Sequence, residues 1–162
     1  MRVSSCVQGW ALTGALDLTR RPEDKSSLLF TRVIPFLSKF ACIFLSNNNR
    51  IRFVDFPPDV TKELVDVVSN YYLPKISKIK IKFEYCHQVD LEGFPWDQGS
   101  GESSHGRSLM CYLLQAATRM NWQLVASADV SAKVVYKDDE KNKSADVHSW
   151  FLVYWPAGKS QL

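Results

Sequence analysis

None of the four cysteines, Cys6, Cys42, Cys86 and Cys111, forms a CxxC pair, so the local signature of zinc ribbons and thiol redox sites is missing. Histidine is scarce as well, with only His87, His105 and His148. Cys86 adjoins His87, but neighbours on a strand point to opposite faces, and no second pair stands at ligand spacing. No metal or other cofactor is therefore expected. No GxSxG elbow is present to raise a nucleophilic serine, and no internal repeat of recognisable period is found. The formal net charge is +3, too small on its own to argue for nucleic acid; only a local cluster of cations could make that case.

A long uninterrupted apolar run is also lacking. The longest candidate, Leu28 to Ser46, is broken by Arg32, Pro35 and Lys39, and charges in the middle of a bilayer cost several kcal/mol. It reads as a buried segment of a soluble protein, helical to about Leu37 and then an apolar strand. The cysteines read as reduced thiols filling small core positions, with Cys111 on the apolar side of a helix. That favours a cytoplasmic or nuclear setting, although an even count leaves disulfide pairing open.

What remains is an ordinary folding composition: 162 residues, 46% hydrophobic and 23% charged, enough for one domain with its own core. Residues 1–25 read as a flexible tail, or as a targeting-like one given Arg2, Arg20, Arg21 and no acid before Asp17. Residues 26–157 read as a single globular unit, and 158–162 as a short C-terminal tail.

Within that unit, Asn47 to Arg50 separates two apolar runs, as a tight hairpin requires. Pro58 suits the first position of a helix, and Val60, Leu64, Val67, Val68 and Tyr71 fall on one helical face. From Lys78 the chain alternates: Ile79, Ile81, Phe83 and Tyr85 to one side, Lys78, Lys80, Lys82 and Glu84 to the other, a strand with one dry face. A second helix carries Leu109, Met110, Leu113, Leu114, Ala117 and Met120, capped by Ser103 or Ser104 and ended by Asn121. Further strands are expected in Trp122 to Tyr136 and around Trp150. The order predicts an α+β fold, a mainly antiparallel sheet of about five or six strands with two amphipathic helices on one face.

One stretch imitates a phosphate-binding loop: Gly101 and Gly106, five apart, followed by Arg107 and Ser108. The context argues against it. Arginine stands where lysine belongs, Glu102 places a carboxylate in the anion cradle, no buried strand leads into it, and too little chain follows for a parallel sheet. The same letters spell an exposed loop and a capped helix start.

Three functional readings follow. The first is a non-enzymatic module that binds another protein, through Trp96, Tyr112 and Trp155 as aromatic anchors. The second is a binder of an anionic polymer or lipid headgroup through Lys75, Lys78, Lys80 and Lys82, helped by Arg107. Alternate lysines stand about 6.7 Å apart on a strand, but no aromatic on that face could stack a base, and lysines on an exposed strand also deter sheet-to-sheet association. The third is a hydrolase-type enzyme with Asp146 orienting His148 toward Ser127, Ser131 or Cys111. No catalytic residue is assigned.

Overall fold

The computed structural model describes residues 9–17, 26–35, 37–46, 49–72, 76–96, 103–130 and 149–156. Eight strands and two helices follow in the order β1 (Trp10–Leu16), β2 (Ser27–Arg32), β3 (Phe40–Ser46), β4 (Arg50–Val54), α1 (Pro58–Tyr71), β5 (Ile76–Phe83), β6 (Cys86–Leu91), α2 (Ser103–Arg119), β7 (Trp122–Ala128) and β8 (Ser149–Tyr154). The six strands from β3 onward form one antiparallel sheet, spatial order β5-β6-β4-β3-β8-β7. It is three hairpins laid side by side. Strands β1 and β2 pair separately as a two-stranded sheet beside β7. The fold is α+β, with both helices on one face.

The period-two pattern decides which side chains meet the helices. Ile43 on β3, Ile51 and Phe53 on β4, Val89 and Leu91 on β6, and Leu152 on β8 are fully or almost fully buried against Leu64 and Val68 of α1 and Leu109 and Leu113 of α2. Burying one such side chain contributes about 1.5–3 kcal/mol. Pro58 opens α1 as expected, and the Thr61 amide and hydroxyl both donate to the Pro57 carbonyl. Asn121 ends the turn after α2 in the left-handed region, φ 63°, where asparagine is tolerated. Its carbonyl then accepts from the Trp155 amide at 2.7 Å.

The N-terminal region departs from expectation. Residues 10–16, read as tail, form β1, and Ser27–Arg32, read as helix, form β2. Leu28 and Leu29 pair with Ala15 and Gly14, and the Thr13 and Thr31 hydroxyls lie 3.1 Å apart. A short apolar run fits either period, and here the upstream partner strand decides for β. Of the expected strands, Trp122–Ala128 and Ser149–Tyr154 are present; Val130 follows β7 outside any strand, and 131–136 lies outside the described residues.

The dry face of β5 is also less dry than its alternation implies. Ile76 packs against the core, yet Ile79 is 50% and Ile81 70% exposed, and Tyr85 lies in the β5–β6 turn, 53% exposed. Two helices of about 10 Å each cover about 20 Å, whereas six strands span about 24 Å. The outermost strand overhangs its cover.

Candidate partner-binding surface

The glycine that gave the chain its phosphate-loop look has another task. Gly106 lies inside α2, where a Cβ would run into the Pro95 carbonyl oxygen and come within 3.1 Å of the Trp96 ring. Pro95 and Trp96 thus lie close against the helix, and only glycine permits that approach. Trp96 packs against the core, with Nε1 buried and without a hydrogen-bond partner among the described residues. Gly101 and Glu102 lie outside the described residues. Every pairing in the described sheets is antiparallel, so no parallel strand there feeds Gly106.

A groove of about 730 Å³ runs along the outer surface between α1 and α2. Asp59, Glu63, Asp66 and Asn70 line one wall at steps of four, three and four, a continuous edge of α1. Tyr112, Gln115 and Arg119 of α2 form the other wall, with Val67, Ala116 and Met120 as the apolar part of the lining. Tyr71 and Tyr112 stack across it, centroids 4.0 Å apart and planes 19° from parallel, yet remain 48% and 40% exposed. Lys62 Nζ donates to Asp66 Oδ2 at 2.8 Å, and that bond pushes the Lys62 pKa up. Asp59 and Glu63 have no ion pair among the described residues, so the groove offers an aromatic step beside a row of carboxylates, with Arg119 on the facing wall. Cations and flat apolar side chains suit such a surface. Sequence reasoning reached Tyr112 but placed Tyr71 in the buried stripe, because no local signal says that α1 and α2 end up side by side.

The anchors expected beside Tyr112 are not joined to it. Trp96 sits against the first turn of α2, while the half-buried Trp155 bonds through its amide to Asn121, past the other end of that helix. Gly106 and Asn121 are separated by about 22 Å along the helix. The three aromatics occupy its start, middle and end.

On the opposite face of the sheet, charge gathers around Asp90. Its Oδ1 accepts from Arg50 Nε and Gln88 Nε2, both at 2.7 Å, and its Oδ2 from Lys80 Nζ at 3.0 Å. Burial pushes the Asp90 carboxyl up, but the bonds from Arg50, Lys80 and Gln88, with the attraction of Arg50, prevail and bring its pKa to about 2. Arg52 joins through Gln88 Oε1 at 3.1 Å and lies over the Phe44 ring. Lys78 and Lys80 share this face, set by pairing with Asp90 and Gln88. Lys75 and the Lys82 side chain lie outside the described residues. Arg107 is exposed on α2, in the helical layer, so the sheet separates it from the lysines it was expected to help.

Cys111 is exposed, contrary to its expected place on the apolar side of α2, while Cys86 is buried; at about 100° per residue, position 111 lies almost opposite the centre of the arc of Leu109, Met110 and Leu113. Asp146, His148 and Ser131 lie outside the described residues, and Ser127 is exposed on β7. Among the described residues no three of His, Cys, Asp and Glu cluster as metal ligands, and no helix is long and apolar enough to cross a membrane.

Fold and surface together define a small α+β domain with an inter-helical groove. Residues 39–153 match the model of a domain family of uncharacterised role, and the chain belongs to that family. The match opens at Lys39, just before β3, and closes at Val153 within β8, so it coincides with the six-stranded sheet and its helices and leaves the β1–β2 hairpin outside. No curated protein and no solved structure matches the chain.

Proposed function

We propose that this chain is a non-enzymatic protein-interaction module that holds a segment of a partner in the groove between α1 and α2. The observation that carries this reading is the Tyr71–Tyr112 stack, two large rings ordered against each other yet nearly half open to solvent. Ordered aromatics lose little further freedom on binding, which is why tyrosine is enriched among residues that dominate interface energies. The carboxylates of Asp59 and Glu63 favour a segment that carries lysine or arginine beside an apolar residue.

The reading is tested by selecting peptides from a displayed library against the full chain and measuring the survivors with the wild type, Tyr71→Ala and Tyr112→Ala. Basic-and-apolar sequences are expected, weakened about 30-fold or more by Tyr112→Ala. Circular dichroism of the variants checks that they remain folded. Peptides indifferent to both substitutions, or no enrichment at all, would remove the groove as the binding site. Binding of an anionic polymer or lipid headgroup has less support, because Lys80 is already bonded to Asp90 and Arg107 lies in the other layer.

A further inference from the structure

The outer edge of β5 is a second surface, on a different element from the groove. Strand β5 closes one end of the six-stranded sheet, and no strand among the described residues pairs with its outer side. The other end, β7, is flanked by β1, and the Ser26 and Asp129 backbones bond beside it. The pairing of β5 with β6 is irregular between Ile76 and Lys78 and again between Ile81 and Phe83, which confines the regular stretch to Lys78–Ile81. Along it the overhanging Ile79 and Ile81 are half or more exposed on the helix side, and Lys78 and Lys80 stand on the other side. Four cations, Arg50, Arg52, Lys78 and Lys80, surround the single carboxylate of Asp90 there.

The geometry points to strand addition: we propose that β5 accepts a short extended segment of a partner protein in which acidic and apolar residues alternate. The segment's backbone takes up the unpaired edge groups over Lys78–Ile81, its acidic side chains face Lys78 and the cations behind it, and its apolar side chains lie over Ile79 and Ile81. Charge selects the occupant. A second copy of this chain would bring lysine opposite lysine on the same face, which disfavours pairing. An anionic polymer would use the lysines but leave the two isoleucines wet, and the Phe44 ring on that face is already covered by Arg52.

The test uses the isotope-labelled full chain and three peptides: one alternating glutamate and valine, one alternating lysine and valine, and a scrambled form of the first. Only the first is expected to bind, with amide shifts and slowed hydrogen exchange confined to β5 and with affinity falling as salt rises. Lys78→Glu, an exposed change compatible with the fold, is expected to weaken it on the order of fivefold and to admit the lysine peptide. The idea is overturned if the acidic and scrambled peptides bind alike, or if the shifts centre on Tyr71 and Tyr112. It is equally overturned by heparin binding without protection of the β5 amides, or by self-association of the chain through β5. Because the readout is residue by residue, failure here leaves the groove reading standing, and the reverse holds too.

Discussion

Replacing Asp90 by asparagine keeps the size of the side chain and removes the charge that Arg50, Lys80 and Gln88 share. The carboxyl lies at about 2 in the folded protein against an ordinary 3.8. A depression of that size corresponds to about 2.5 kcal/mol if solvent took no part. The Arg50 and Lys80 side chains are 25% and 35% exposed, so screening reduces this to about 1–2 kcal/mol. Because the folded-state pKa is lowered, the stabilisation is complete above the unfolded-state value near 4 and is lost as pH falls toward about 2. Urea unfolding of wild type and Asp90→Asn should therefore differ by about 1–2 kcal/mol at neutral pH. The two stabilities should converge between about pH 4 and about pH 2. Curves that stay parallel through that interval, or a variant as stable as wild type at neutral pH, would refute the reasoning that the network is held together by the ionised carboxylate.

Gly106→Ala decides between two readings of a helical glycine. At an open position alanine adds up to about 1 kcal/mol of stability, but against the Pro95 carbonyl it should cost about 1–3 kcal/mol, seen as a lower melting temperature with helicity retained. The cysteines should divide by environment. Burial pushes the Cys42 thiol up to about 11, outweighing its hydrogen bonds to Ser149 and the Trp150 backbone, and Cys111 is exposed. In a Cys6→Ser variant, a thiol reagent at mildly alkaline pH should label Cys111 first, the half-buried Cys42 more slowly, and Cys86 only on unfolding. Labelling of Cys42 as fast as Cys111 would contradict its raised pKa.

Where local pattern and tertiary demand coincide, the sequence was readable. Helix α1 follows from Pro58 and the spacing of Val60, Leu64, Val67 and Val68, and Asn121 ends the turn after α2 where its type permits a positive φ. The alternation from Lys78 fixes which side chains share a face. It says nothing of how wide the helical cover is, so the exposure of Ile79 and Ile81 was out of reach. Leu28 to Arg32 misled because its partner is β1, in a segment read as tail. Of the candidate site, Tyr112 was read as an aromatic anchor, but its neighbour Tyr71 comes from a different helix. Gly106 misled for the same reason: Pro95 and Trp96, which explain it, stand eleven and ten residues upstream.

The central strand has a consequence for how the protein is made. Strand β3 gains its β4 neighbour at once, but its other neighbour is β8, and the Ser38 hydroxyl donates to the Tyr154 carbonyl 116 residues away. A nascent chain emerging from the ribosome therefore carries an aromatic and aliphatic ribbon, Phe40 to Leu45, with a bare flank through most of its synthesis. That interval is when such a ribbon is most open to clumping with its neighbours, and when a chaperone has the most to protect.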